Sequence, residues 1–501
     1  MLNLDCTLRD GGYYTNWDFS SEFIDSYIEC MENSNIDYIE IGYRSKPLND
    51  YKGEFYYTPI NTIKKISNNT SKKLCIMLDV KNIDISEIDS ILKPCIGYVK
   101  LVRFAINPEK FKNYGRYITK VKELGFEVAL NFMYFSNWIN DFVFVKEIVN
   151  WSISNKADFL YFVDSYGSVF PEDIDKLFVE FNKPSQIKLG FHAHDNLSLA
   201  FANTLCALKY HFDIIDSTML GMGRGAGNLK TELILQYKKK KLDLNLFNHV
   251  SFHRFYSLTS KLNKKHEWGT NSSYITSGLV SYPQGKVMDM IKLRSSSLEN
   301  IEDIILNNHL AQNITEKKTL EKNHERVMII GGGKSIHQHI NYIKMFLKQN
   351  ADIQLIFATS KHLDLFKDFF ERSYLVLVSD EIKRYKSLSK ISNMKFCYFE
   401  NDKSVLLPKN MENIYMIPDS IFINKIYSRS ELALALAKMT KSEKCFLIGF
   451  DGYINTSYKE NILMMENQSI FNQYGSELSI CSLLPTSYNI HVESLFSKFV
   501  L

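Results

Sequence analysis

IKLGFHAHDN, residues 187–196, opens as an apolar strand and closes on two histidines, an aspartate and an asparagine. Side chains alternate faces along a strand, so His192 and His194 point to the same side and can grip one ion. Seven other β-type runs surround this one in the chain: LNLDCT (2–7), DYIEIGY (37–43), KLCIMLDV (73–80), IGYVKLVRF (96–104), EVALNFMY (127–134), FLYFVDS (159–165) and FDIIDSTML (212–220). Amphipathic stretches lie between them. In 108–124, Phe111, Tyr114, Tyr117, Ile118, Val121 and Leu124 recur at mostly helical intervals. Eight strand–helix units with near-continuous apolar strands are the pattern of a closed (β/α)8 TIM barrel. Strand count alone also fits an open doubly wound sheet. The polar residues decide, because they fall at the C-terminal strand ends, which a barrel gathers at one mouth.

A chain of 501 residues exceeds what one core usually organises, so two domains are expected. We place the barrel, with a helical extension, at 1–290 and a polar helical linker at 291–325. A second α/β pattern fills 326–501: RVMIIGGG, DIQLIFAT, SYLVLVS, MKFCYFE, IYMIP, a helix over 428–440, CFLIGFDG and ELSICSLLP. A Rossmann-like parallel sheet flanked by helices is the natural reading.

Composition is that of a globular protein, 45% hydrophobic and 23% charged. A formal charge of +4 is too small at this length to imply a nucleic-acid partner or a membrane surface. The basic run Lys238 to Lys241 reads as a solvated helix end. No apolar run approaches the roughly 18–20 residues of a membrane span, and the opening MLNLDCTLRDGG is no signal peptide. Eight scattered cysteines without a C-x-x-C pair fit a reducing cytoplasm, with no disulfide framework.

Three polar clusters each follow a strand: Thr7-Leu8-Arg9-Asp10-Gly11-Gly12, His192-Ala193-His194-Asp195-Asn196, and Gly221-Met222-Gly223-Arg224-Gly225-Ala226-Gly227-Asn228. In a closed barrel the first, read as a loop carrying Asp10, lies near the seventh strand. Two imidazoles and one carboxylate then form a metal site with open positions for water and substrate. An isolated H-x-H or glycine-rich loop is weak; the three together at one mouth are not.

LDCTLRDGG, VDSYGSVFPEDI, GFHAHDN and DSTMLGMGRGAGN resemble the metal-dependent lyase and aldolase superfamily with the T-L-R-D-G signature. Its members include 4-hydroxy-2-oxovalerate aldolase, hydroxymethylglutaryl-CoA lyase, and isopropylmalate and homocitrate synthases. The resemblance covers about residues 1–290, and the G-x-G-x-G-A-G-N loop is most similar to the 4-hydroxy-2-oxovalerate aldolases. It implies Asp10, His192 and His194 as ligands of Mn²⁺, Mg²⁺ or another divalent ion, with Asn228 a further ligand or an orienting neighbour. It implies Arg9 as stabiliser of an enolate oxygen, and Glu40, at the end of the second strand, as a group that orders water or Arg9. Asp164 and Ser165 match an element that orders the mouth. Where those aldolases carry a basic histidine, three residues after the signature aspartate, this chain has Tyr13. A tyrosine of ordinary pKa near roughly 10 is a poor base at neutral pH, so Tyr13 either takes part through its hydroxyl or lines the pocket. Glu40, Lys100 and Arg103 are further candidates near the mouth.

In the C-terminal half, Gly331, Gly332 and Gly333 fall at a strand-to-helix turn, where N–H groups can meet a phosphate, followed by Lys334 and Ser335. The turn is not a Walker A loop, since Met328 stands where its first glycine belongs, and Ile336 interrupts a G-x-G-x-x-G. GGGKS, ELALALAKMTKSEKCFLIGFDGY and ELSICSLLP weakly resemble sialyltransferase-like Rossmann-type domains acting on nucleotide-linked sugars. That implies nucleotide or nucleotide-sugar binding, with a non-catalytic scaffold as the alternative.

The expectation is a cytoplasmic, homo-oligomeric aldolase joining or splitting a pyruvate-type oxo acid and an aldehyde through a metal-stabilised enolate. By analogy, it would serve synthesis of a surface-polysaccharide sugar. Two rivals stand beside it: a Claisen-type acyl-CoA synthase or lyase, and a catalytically degenerate barrel acting as a binding or assembly platform.

Overall fold

The computed structural model describes residues 1–49, 51–80, 83–181, 183–242, 247–292, 301–302, 305–306, 320, 323–378, 393–400, 413–423, 428–453 and 458–499. The chain divides into two compact units, Met1–Met288 and Asp289–Leu501. The expected linker at 291–325 falls mostly outside the described residues.

In the first unit eight parallel strands close in sequence order into a barrel: β1 (Leu2–Asp5), β2 (Tyr38–Arg44), β3 (Lys73–Leu78), β4 (Val99–Ile106), β5 (Glu127–Phe132), β6 (Phe159–Asp164), β7 (Lys188–Ala193) and β8 (Ile214–Ser217). Every strand is buried on both faces over most of its length, which is why the strands read as nearly continuous apolar runs. The interior is packed by Leu4, Tyr38, Cys75, Leu101, Ala129, Phe159, Tyr161, Val163 and Ile214. Gly190 makes that packing possible, since a Cβ there would lie 2.6 Å from the Tyr161 ring. A larger apolar layer between strands and helices surrounds the barrel.

Three expectations are corrected here. The Asp10 segment is a helix, Thr7–Thr15, and not a loop. Its two glycines argue against helix by propensity, yet each is required by packing: a Cβ on Gly11 would sit 2.7 Å from the Met222 sulfur, and one on Gly12 would sit 2.1 Å from the Trp17 ring. Lys100 is not at the mouth. It is exposed and pairs at 3.5 Å with Glu127, the first residue of β5, at the opposite end of the barrel. Lys238, expected in solvent, is buried and donates to the Met1 carbonyl and to Asn35 Oδ1.

The second unit is an eight-stranded parallel sheet ordered β13-β12-β11-β10-β9-β14-β15-β16. Its members are β9 (Arg326–Ile330), β10 (Gln354–Phe357), β11 (Ser373–Val376), β12 (Lys395–Phe399), β13 (Ile414–Ile417), β14 (Lys444–Ile448), β15 (Ser479–Ser482) and β16 (His491–Val492). The last is a two-residue edge strand with no sequence counterpart among the expected runs. Apolar clusters cover both faces of the sheet, and the strand order reverses between β9 and β14. All eight cysteines are free and buried. No helix among the described residues is long and apolar enough to cross a membrane.

Candidate metal centre

At the mouth of the barrel, ligand atoms of Asp10, His192 and His194 lie within 4.8 Å of one another, and all three residues are buried. His192 Nε2 stands 3.7 Å from Asp10 Oδ2. The other nitrogen of each ring is already engaged. His192 Nδ1 lies 2.8 Å from Asp216 Oδ2, and His194 Nδ1 lies 3.2 Å from the Gly227 carbonyl. Both acceptors require a proton on Nδ1, which leaves the Nε2 lone pairs for a cation. Asn228 donates from Nδ2 to Asp10 Oδ2, while its own Oδ1 is buried without a hydrogen-bond donor among the described residues. Two imidazoles that present Nε2, a carboxylate and an orphaned carbonyl oxygen are a donor set that fits a divalent ion.

Behind these groups runs a buried ionic chain. Arg9 donates from Nη1 to Asp10 at 2.6 Å and from Nε to Glu40 at 2.8 Å. Arg103 donates to the same Glu40 oxygen at 3.1 Å, to Asn131 Oδ1 at 3.2 Å, and to Asp216 Oδ2. Its guanidinium lies 4.4 Å from the Tyr161 ring centre. Burial alone would raise the Asp10 carboxyl, but the Arg9 guanidinium first, then the two neighbouring imidazoles and the Asn228 bond, hold it well below the carboxylate range. Burial, and then the neighbouring His192, push the His194 imidazole down to about 3, so it is neutral and ready to ligate. Asp216 is likewise held low: burial opposes its charge, and Arg103 and His192 outweigh burial.

Glu40 sits in mid-strand, one residue before a bulge in β2, and not at the strand end; it does hold Arg9. Tyr13 lies one helical turn after Asp10, its hydroxyl 3.4 Å from that of Tyr43 and its ring edge-on to Trp17 at 4.9 Å. Asp164 accepts the Ser168 and Val169 N–H groups, and Ser165 Oγ accepts the Tyr134 N–H; both thus shape mouth loops. The extension after β8 pins the glycine loop. Gln284 accepts from the Ala226 N–H and donates to the Ser165 carbonyl, and Tyr14 donates to the Gly225 carbonyl. Gly227, at φ +84°, approaches Gly221 so closely that a Cβ would meet its carbonyl oxygen at 2.1 Å. Asp216 escaped the sequence reading. Its parity was the available signal: two residues after the interior Ile214, it had to face inward.

The HMGL-like family model matches residues 2–260, more than half of the chain. The chain belongs to the HMGL-like family. It is the pyruvate aldolase and lyase superfamily expected from the T-L-R-D-G segment. Similar proteins include a 4-hydroxy-2-oxovalerate aldolase of Geobacillus thermodenitrificans, 29% identical over 235 residues, or 46% of this chain and 67% of that protein. An oxaloacetate decarboxylase of Mycobacterium tuberculosis is 23% identical over 46% of this chain and 68% of its own. Among solved structures, the N-terminal domain of a candidate aldolase from Bacteroides vulgatus is 41% identical, with a TM-score of 0.55, covering 58% of this chain and 96% of that domain.

In the second unit four of the five residues expected to meet a phosphate, all but Ser335, line a cavity of about 730 Å³ at the C-terminal ends of β9 and β14, where the strand order reverses. Gly331, Gly332, Gly333 and Lys334 line it together with Thr359, Lys361, Arg429, Asp451, Asn467 and Tyr488. Ser335 faces Asp451, which accepts its N–H at 3.0 Å and also its hydroxyl. The N–H groups of Gly331 and Gly333 bond to Ile448 and Gly449 carbonyls.

Proposed function

We propose that the barrel is a divalent-metal-dependent aldolase that makes or breaks a carbon–carbon bond between a pyruvate-type 2-oxo acid and an aldehyde. The observation that carries this reading is the convergence of Asp10, His192 and His194 with both Nδ1 atoms already committed. Those three residues would hold Mn²⁺ or Mg²⁺, with Asn228 Oδ1 beside them. When bound, the ion supplies Lewis-acid stabilisation of negative charge on the keto oxygen as the adjacent methyl carbon becomes nucleophilic. Arg9 is oriented by its bonds to Glu40 and Asp10, and its third nitrogen, Nη2, has no hydrogen bond to any described residue. We assign that edge to donation to the same developing oxyanion, a contact worth several kcal/mol in a buried site. Glu40 and Arg103 act by holding Arg9 and Asp216 in position. Tyr13 and Tyr43 offer paired hydroxyls that orient a substrate hydroxyl or a water. Pyruvate methyl protons should exchange with deuterated water in the presence of Mn²⁺. Exchange no faster than in Asp10→Asn would overturn the reading.

For the second unit we propose binding of a nucleotide or nucleotide-linked sugar, in keeping with a role in surface-polysaccharide synthesis. The cavity at the strand-order reversal supports it, since ligands of open parallel sheets bind there. Asp451 already occupies the start of the helix Ser335–Gln349, so a phosphate would lie along Gly332 and Lys334 and not on Ser335. A panel of nucleoside-diphosphate sugars tests this by thermal shift. Shifts absent from the wild type, or unaltered in Lys334→Ala, would overturn it.

A further inference from the structure

Arg224, in the loop after β8, is the one cation at the centre left outside the ionic chain among the described residues. Arg9 and Arg103 are spent on Asp10, Glu40 and Asp216. Arg224 instead lies over the Tyr13 ring, 5.4 Å from its centre, and its buried Nε has no acceptor among the described residues. Its charge is felt by Tyr13, Asp10, Tyr43 and Tyr134, and also by Tyr166. Tyr134 and Tyr166 stack at 5.2 Å, and Tyr134 is held at φ +61° with its N–H on Ser165 Oγ. Such a left-handed conformation is costly for a tyrosine and needs its surroundings to hold it. The loop that carries Arg224 is fixed at the next two residues, Gly225 by Tyr14 and Ala226 by Gln284.

Charge counting shows what this cation lacks. Three carboxylates and two guanidinia in the chain sum to −1. A divalent ion and a 2-oxo acid monoanion then bring the centre to zero. Arg224 is left over as a half-buried positive charge whose enclosed Nε lacks an acceptor among the described residues, and charge withdrawn from water is stable only when paired. Asp164 is bound to its own loop N–H groups and does not serve.

We propose that Arg224 binds an anionic group, carboxylate or phosphate, on the aldehyde partner, so that the aldolase acts on an acidic aldehyde. This inference rests on the aldolase reading of the same site. Two matched pairs test it: succinic semialdehyde against butanal, and glyceraldehyde 3-phosphate against glyceraldehyde. The wild type should favour an anionic member by at least about 30-fold in kcat/KM, through KM, as expected for a charge-assisted pair. Whichever pair shows the preference identifies the anion. Arg224→Gln should lower that preference by roughly 10- to 100-fold, and Arg224→Lys should restore part of it. A residue that merely stacks on Tyr13 would leave the preference unmoved. Ligand-observed NMR on the metal-free protein supplies a readout without turnover: the anionic aldehyde should bind the wild type and lose affinity in Arg224→Gln. Equal use of neutral and anionic partners, or a preference that survives Arg224→Gln, overturns the proposal while sparing the aldolase reading. Failure of pyruvate exchange sinks the aldolase reading, and the NMR comparison still decides Arg224.

Discussion

Asp216→Asn isolates one charge in the ionic chain and leaves its shape intact. In the wild type a single oxygen, Oδ2, accepts from His192 Nδ1 at 2.8 Å and from Arg103. The amide oxygen of asparagine can take the same two bonds, so the ring need not turn. What disappears is the negative charge that makes His192 a stronger ligand and half-neutralises Arg103. Loss of such a supporting carboxylate typically costs about 10- to 100-fold in metal affinity, or about 1.4–2.8 kcal/mol. Arg103 keeps only Glu40, which it already shares with Arg9, and a fully buried cation deprived of one partner costs about 3 kcal/mol of stability. Both effects can be measured on one sample. Calorimetric titration of metal-stripped protein with Mn²⁺ gives the first. Urea unfolding followed by tryptophan fluorescence gives the second, because Trp17, Trp138, Trp151 and Trp268 all lie in the first unit. A folded variant with Mn²⁺ affinity within twofold of wild type would refute the argument that Asp216 tunes the site through His192. Lost stability with intact affinity would reduce Asp216 to an anchor for Arg103.

Burial holds the Asp164 carboxyl up at about 7, so the stability it contributes is complete below about pH 4 and lost as pH rises through 7. Asp164→Asn removes that slope and should gain on the wild type by about 3 kcal/mol between pH 5 and 8; parallel urea midpoints at the two pH values would contradict it. Gly227→Ala forces a side chain into a left-handed position against the Gly221 carbonyl, and should cost at least about 2 kcal/mol together with most Mn²⁺ binding; a variant that unfolds and titrates like wild type would show the loop to be adaptable. Asp451→Ala removes the side-chain acceptor at the start of Ser335–Gln349 and should cost the second unit about 1 kcal/mol. It should appear in far-UV circular dichroism and not in tryptophan fluorescence, and a shift in both signals would count against it.

The barrel was legible because its sequence signal is periodic. Strands buried on both faces leave unbroken apolar runs, and polar residues can interrupt them only where the strands reach the mouth. The histidine pair was legible for the same reason, since two positions of one strand share a face whatever the rest of the chain does. The Thr7–Thr15 helix was not, because its stability comes from Trp17 and Met222 closing on two glycines, and propensity records nothing of that contact. Arg103 and Lys100 illustrate the boundary. Both are cations in one strand and both are expected near the mouth, yet they stand three residues apart and therefore on opposite faces. Parity alone sends Arg103 inward with Leu101 and Lys100 outward, where it meets Glu127. What parity cannot supply is the partner. That Arg103 meets Glu40 and Asp216, and that Arg224 meets neither, depends on which strands the closed barrel sets opposite one another. The difference between a guanidinium that holds the site together and one that awaits a substrate is therefore a property of closure. In this chain the division of labour among Arg9, Arg103 and Arg224 follows from how many carboxylates each can reach.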